Sequence, residues 1–308
     1  MAIELFVEPR KVYSWDEFIG VKPPFSIALD GLVSGPTKRD IKGPYANFDH
    51  HSEVDRLATR STSEQVHMEI NMGLFEAFRK EGKPQANIYV NDPDEDTCLA
   101  FWLLNNHEQV IGHATPSINR LVYCEDRLDC TAGAYPFGDT EMRREMAWMF
   151  EPYNRARFEN QLHSLDSSGM KNIIESVNAR ITTHTLGRGE AIPLEGNYQR
   201  IGEGKDWVMV RETGPASRLA MYNDGIRAYA ALVSEKGDGS FVYVLGRKSV
   251  WIPFDIPRLY ECLNEAEGEL ATKGNRWSGS DTIGGSPRQT GSKIKPENLQ
   301  RIINNFLS

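Results

Sequence analysis

The stretch Tyr45-Ala46-Asn47-Phe48-Asp49-His50-His51 decides how this chain folds. An apolar run stops abruptly at an acid and two imidazoles, the pattern of a buried strand that delivers polar side chains at its carboxyl end. The same pattern stands upstream in Phe25-Ser26-Ile27-Ala28-Leu29-Asp30. It stands again downstream in Ala86-Asn87-Ile88-Tyr89-Val90, which runs into Asn91-Asp92-Pro93-Asp94-Glu95-Asp96. Leu121-Val122-Tyr123-Cys124, followed by Asp126 and Asp129, reads as a fourth strand. Helical patterns lie between them. Ser61-Thr62-Ser63-Glu64 offers a hydroxyl cap and a capping-box glutamate. Val66, Ile70, Leu74 and Phe78 then make one apolar stripe down to Gly82, and Thr97 to Leu104 reads as a buried helix. Strands alternating with helices predict an α/β protein on a parallel sheet, with ligands at the carboxyl ends of the strands.

Outward from this region the pattern changes. Thr140 to about Arg180 is helical, with Met142, Met146, Met149 and Phe150 as a core stripe. Gly187 to Gly202 reads as a linker. Beyond it, runs at Trp207–Val210, Ile226–Val233 and Phe241–Gly246 are strand-like, with turn chemistry at Gly237-Asp238-Gly239. Helices over Ile256–Leu270 and Pro296–Phe306 complete a smaller α/β domain, and the Gly- and Ser-rich segment between them reads as neither helix nor strand. The expected division is therefore 1–150, an α/β domain; 151–205, a helical connector and linker; and 206–308, a smaller α/β domain.

Composition narrows the function. The 308 residues carry 43 acids against 35 bases, a formal net charge of -8 that argues against a broad nucleic-acid surface. Four cysteines without a C-x-x-C pair fit neither a zinc knuckle nor a disulfide scaffold and suit a reducing compartment. The first residues are charged throughout, and no run approaches the roughly 18 apolar residues of a membrane span. A cytoplasmic protein without a membrane partner is the expectation.

Asp or His recurs at four predicted strand ends: Asp30; Asp49, His50 and His51; Asp92, Asp94 and Asp96; and Asp126 with Asp129. One strand-end Asp is usually a turn or cap residue. Four sets gathered on one sheet edge would repel one another, and a divalent cation relieves that. Carboxylate oxygen with imidazole nitrogen suits manganese, iron, cobalt or zinc better than calcium. Asp92-Pro93-Asp94-Glu95-Asp96 is not an EF-hand, because Thr97 and Leu103 stand where its Gly and Glu are required.

These residues resemble the DHH phosphoesterase superfamily. Asp49-His50-His51 is similar to its D-H-H signature, and Ser61 to Glu64 stands where its next helix is capped. Asp30 resembles its lone metal-bridging Asp, Asp92 to Asp96 its P-D-x-D segment, and Leu128 to Gly133 its later D-T-G-like motif. The order differs, because P-D-x-D follows the lone Asp and D-H-H here, as in a permuted sheet. A histidine expected three residues before Pro93 is replaced by Val90. Downstream, Gly246-Arg247-Lys248-Ser249 and Gly284 to Ser292 resemble the substrate-binding domain often attached to such proteins, without its loop histidine.

The resemblance implies a parallel-sheet catalytic domain followed by a smaller α/β substrate-binding domain, hydrolysing a phosphate ester or anhydride of a nucleotide or short oligonucleotide. It implies Mn2+, with Mg2+, Co2+ or Zn2+ as substitutes, held by Asp30, Asp49, His51, Asp92, Asp94, Asp96 and Asp129. Asp49, His50 and His51 form the expected catalytic group, His50 stabilising phosphoryl oxygens or protonating the leaving group. Arg247, Ser249, Gly284, Gly285, Ser286, Arg288 and Gly291 are the expected substrate contacts, with phosphate gripped by the two arginines. The expected partner is a phosphorylated small molecule or short single-stranded oligonucleotide, and a homodimer is compatible with the family. Replacement of the histidine at Val90 raises an alternative, an inactive nucleotide- or metal-binding regulator.

Overall fold

Alternation starts at the first residues. Strand β1 (Ala2–Val7) packs Ile3, Leu5 and Val7 on the main core, while Phe6 stacks on Tyr89 with ring centroids 4.9 Å apart. This strand goes beyond the sequence expectation, which read the segment only for a missing signal core. Helix α1 (Trp15–Val21) begins at a capping box between Ser14 and Glu17 and buries Phe18. Strands β2 (Ser26–Leu29), β3 (Lys38–Asp40) and β4 (Tyr45–Phe48) follow, then helices α2 (Thr62–Asn71) and α3 (Leu74–Ala77). Next come β5 (Arg79–Lys80), β6 (Lys83–Val90), α4 (Glu95–Asn105), α5 (Pro116–Cys130), α6 (Thr140–Met149), α7 (Glu151–Phe158) and α8 (Ser167–Thr185). The computed structural model describes residues 2–159, 161–214, 216–272 and 274–308. They form a mixed α/β protein of two units, residues 1–130 with 137–193, and 131–136 with 194–308.

The first sheet runs β1-β6-β2-β4-β3. β6 pairs in parallel with β1 and with β2, and β2 in parallel with β4. The strand that precedes Asp92–Asp96 therefore lies inside the sheet beside the strand that ends at Asp30. The sheet is not wholly parallel, because β3 and the short β5 are antiparallel additions to β4 and β6. Helix α4 buries every residue from Asp96 to Leu104, which its all-round apolar sequence demands.

Three expectations for this unit need correction. Leu121-Val122-Tyr123-Cys124 is not a strand but the middle of α5. Ile118, Leu121, Val122, Cys124 and Glu125 are buried at helical spacing, and a short apolar run cannot by itself separate the two periods. The stripe from Val66 to Phe78 is not one helix either. α2 ends at Asn71 with Met72 as its cap, Gly73 turns with φ +105° into α3, and Glu81 and Gly82, both at positive φ, make the turn of the β5–β6 hairpin. Finally, residues 151–185 do not form a connector. Ile174, Val177 and Ile181 of α8 lie in the same apolar cluster as Ile27, Ile88 and Trp102.

The second unit holds β7 (Tyr198–Gly204), β8 (Trp207–Glu212), α9 (Ser217–Asn223), β9 (Ala228–Glu235), β10 (Phe241–Arg247), α10 (Ile256–Glu267), β11 (Ser278–Gly279), β12 (Ile283–Gly285) and α11 (Pro296–Leu307). Its sheet runs β11-β12-β10-β9-β8-β7, antiparallel except for the β8–β9 pair. Tyr243, Leu245, Leu259, Leu263, Trp277, Leu299 and Ile303 form its main core. The glycine- and serine-rich segment, expected to lack regular structure, contributes β11 and β12. A Cβ on Gly284 would lie 1.9 Å from the Tyr260 hydroxyl, so the glycine is there to let a strand pass close to α10. Among the described residues, no helix is long and apolar enough to cross a membrane.

Candidate metal centre

Strand ends and helix starts meet in the first unit. Asp30 follows β2 directly and takes φ +52°, a left-handed conformation uncommon for a residue with a side chain but tolerated by Asp. Its backbone N–H donates to the Phe48 carbonyl at 2.9 Å, tying the end of β2 to the end of β4. Its Oδ1 accepts from Thr62 Oγ1 at 2.9 Å and lies 2.8 Å from His51 Nε2. Asp96, in the first turn of α4, caps a different helix. Its two oxygens accept from the backbone N–H groups of Thr62 at 2.6 Å and Ser63 at 2.9 Å, at the positive end of α2.

His50 is fully buried at the centre. Its Nε2 lies 2.7 Å from Asp129 Oδ2, 3.5 Å from Asp96 Oδ2 and 3.6 Å from Asp30 Oδ1. It makes no aligned hydrogen bond with any of them. A buried imidazole nitrogen among three carboxylates, paired with Asp129 at 2.7 Å, offers a ligand atom that a divalent cation can share with them. Donors about 2.1 Å from a metal are separated by about 3.0–3.4 Å, close to the distances seen here. Asp30, His50 and His51 form one converging set of ligand atoms, and His50, Asp96 and Asp129 a second that shares His50. The residues present therefore fit a divalent cation.

The fold gives Arg56 an internal role. It is buried, and its Nη2 donates to Asp129 Oδ1, Oδ2 and the Asp129 carbonyl at 3.1–3.2 Å. Its Nη1 lies 3.1 Å from His51 Nδ1. Because a guanidinium only donates, that nitrogen is the acceptor and Nε2 carries the proton toward Asp30.

The charges respond to one another. Burial pushes the Asp96 carboxyl up, and the charges of Asp129 and Asp30 add to it, to about 7. Burial also opposes ionisation of Asp129, but Arg56 and His50 outweigh it and bring the carboxyl down to about 2. Asp30 is likewise held well below the usual range by His51 and His50 against its burial. Asp94, half-buried and facing Asp30 and Asp92, is raised well above that range by desolvation and by those two charges. Proton and cation therefore compete at Asp96. Below about pH 7, cation affinity is expected to fall by about tenfold per pH unit, and above it to level off, as read by calorimetric titration of Mn2+. A flat profile from pH 5.5 to 8 would contradict this. In the metal-free protein the sign is the reverse. The folded state holds this proton more tightly than the ordinary 3.8 allows, so the contribution to stability is full below pH about 4 and is lost as pH rises through about 7.

The remaining expected ligands are placed less centrally. Asp49 is fully buried, with Oδ2 accepting from Ser52 N–H at 3.4 Å and Oδ1 without a partner, but it belongs to neither converging set. Asp94 caps α4 by accepting from Thr97 N–H at 2.9 Å. Asp92 is half-buried and also lies outside both sets. Val90, where the resemblance expects a histidine, is fully buried in the apolar core. Asp126 accepts from Ser61 N–H at 2.8 Å and serves the start of α2.

Sequence reading missed Glu125. It is buried on α5, four residues before Asp129 on the same face, and its Oε2 has no hydrogen-bond partner. Burial, with Glu95 and Asp96 nearby, pushes its carboxyl well above the usual range. Reading its segment as a strand hid it, because a strand gives no i, i+4 face.

The expected substrate contacts in the second unit are largely built into its fold. Arg247 is buried, donating Nε to the Asp281 carbonyl at 2.8 Å and Nη1 to the Ile252 carbonyl at 3.2 Å. Gly284 and Gly285 lie in β12, paired with Leu245 and Val244 of β10. Ser286 Oγ accepts from Tyr243 N–H at 3.0 Å, and Gly291 turns with φ +71° against the Phe241 carbonyl. Ser249 is half-buried and Arg288 is exposed, so of the two arginines Arg288 alone presents its guanidinium to solvent. Comparisons with protein-family models, curated proteins and solved structures return no match to this chain.

Proposed function

We propose that the first unit binds a divalent cation through His50, Asp96, Asp129 and Asp30 and hydrolyses a phosphate ester or anhydride, in the manner of the DHH phosphoesterases its motifs resemble. The observation that carries this is the convergence of His50 Nε2 with carboxylate oxygens of Asp129, Asp96 and Asp30, at 2.7, 3.5 and 3.6 Å. A cation held there supplies two things, neutralisation of charge on the phosphoryl oxygens and a lowered pKa for a water that it binds. The expected roles of the two histidines are exchanged in this reading. His50 is inaccessible and faces the carboxylates, so it is the ligand. His51 has a side chain 23% exposed, so it is the imidazole nearest solvent, and its Nε2 proton, held on Asp30 at 2.8 Å here, turns to a phosphoryl oxygen or leaving group when substrate binds. Arg56 orients that ring and keeps Asp129 ionised. A phosphorylated nucleotide or short oligonucleotide is the substrate class the resemblance implies.

The test is hydrolysis of pyrophosphate, a mononucleotide, a cyclic dinucleotide and a linear dinucleotide with Mn2+, Co2+ or Mg2+. Turnover of at least one is expected, with Asp96→Asn at least about a thousandfold slower, a loss of about 4 kcal/mol of transition-state stabilisation. One observation favours a second reading. Val90 is a core residue rather than a ligand, which leaves the Asp94 side of the site short of a donor. Tight cation binding with no turnover of any of the four substrates would make the protein a binding regulator on the same scaffold.

A further inference from the structure

Trp251 is 88% exposed, the most exposed of the large apolar side chains in the described residues. It does not sit on a loose loop. Ile252 N–H donates to the Ser249 carbonyl at 3.1 Å, closing a turn over residues 249–252, and Lys248 N–H donates to the Arg227 carbonyl at 2.8 Å. Arg247 Nη1 holds the Ile252 carbonyl from beneath, and Phe254 is buried beside Trp207 with ring centroids 6.0 Å apart. The turn is thus braced on both sides by residues that face inward, while the indole between them faces water. Packing does not require an indole there, since Ile252 and Phe254 already anchor the segment.

The neighbours are cationic. Lys248 precedes the turn and Arg227 lies beside it across the β9–β10 ladder, where Arg247 registers with Ala228. Both are exposed, and neither has an ion-pair partner among the described residues. Of the acids near the turn, Asp224 accepts the Tyr198 hydroxyl at 2.6 Å, Asp255 caps α10, and Asp281 keeps its Oδ1 buried, while Glu203 and Asp206 line the same hollow as Arg227. A rigid aromatic face beside two unpaired cations suits a ligand with a flat ring at one end and a phosphate at the other.

We infer that Trp251 is a stacking platform for the base of a nucleotide whose phosphate is taken by Lys248 and Arg227. The inference draws on the phosphoesterase reading for its ligand class and on the second unit alone for its geometry. Phosphate contacts hold the ligand without regard to the base, whereas the indole adds affinity for any base because every base has a π-face.

The experiment measures binding of AMP, ribose 5-phosphate and inorganic phosphate to the full chain by calorimetry, without metal and in an Asp96→Asn background. AMP is expected to bind more tightly than ribose 5-phosphate. Trp251→Ala is expected to weaken AMP about 5- to 150-fold, the equivalent of one base–aromatic stack, while leaving ribose 5-phosphate unchanged. Trp251→Phe should keep most of the difference, and Lys248→Ala should weaken both ligands alike. Equal affinity for AMP and ribose 5-phosphate would overturn the inference. So would Trp251→Ala protein that binds AMP as wild type does, including one that has lost self-association, which would assign the indole to a contact between copies. Because no metal or turnover enters the measurement, failure of hydrolysis with base binding intact counts against the metal reading alone.

Discussion

Manganese at about a hundred times its dissociation constant is expected to stabilise the folded chain by about 2.7 kcal/mol, raising the melting temperature by about 5–10 °C. The rise follows from mass action on a site that the unfolded chain does not possess. His50, Asp96, Asp129 and Asp30 are 30 to 129 residues into the sequence and converge only when β2, β4, α4 and α5 are in place. Asp96→Asn and His50→Asn are each expected to abolish the rise, because each removes a donor from the set that shares His50. Asp126→Asn is the control. Its carboxylate is as deeply buried but caps α2, so its substitution should lower the melting temperature and leave the manganese increment intact. A full increment in both Asp96→Asn and His50→Asn would place the cation elsewhere in the chain.

Arg56→Ala is expected to destabilise the metal-free protein by about 3 kcal/mol, the low end of the cost of stranding one partner of a buried ion pair, because the Asp129 side chain is 27% exposed. Asp129 would lose three donated contacts from Nη2, and His51 the donor that fixes its tautomer. Manganese should then restore more stability to the variant than it adds to the wild type, since a cation takes over neutralisation of Asp129. Thermal melts with and without the ion separate the two effects. An Arg56→Ala protein melting within about 2 °C of wild type would mean that Asp129 is neutralised by some other group.

What the sequence disclosed follows period and contrast. β2, β4 and β6 were legible because each is a short apolar run that ends at a polar cluster. Asp30, His50, His51, Asp94 and Asp96 were legible as candidates for the same reason, since they stand at those ends. α5 was misread because Leu121 to Cys124 is apolar at four successive positions, where a buried strand and a buried helix look alike. Its polar face, Glu125 and Asp129, appears only when the helical period is known. The roles of the two histidines could not be told apart either, being adjacent and chemically identical. The difference is burial, which depends on Asp96 arriving from α4 and Asp129 from α5. Arg247 shows the opposite error, an arginine in a motif-like place whose donors the fold directs to backbone carbonyls.

The strand order has a consequence for how the chain acquires its site. β6 lies between β1 and β2, so the two strands made first cannot pair with each other and must wait for a strand more than fifty residues behind β2. Such non-local pairing is slow to nucleate, because a long loop must close before any contact rewards it. A nascent chain that has emerged only through His51 carries Asp30 and both histidines but neither Asp96 nor Asp129. Its edges stay open, and the histidine lacks two of the three carboxylates it faces until α4 and then α5 leave the ribosome.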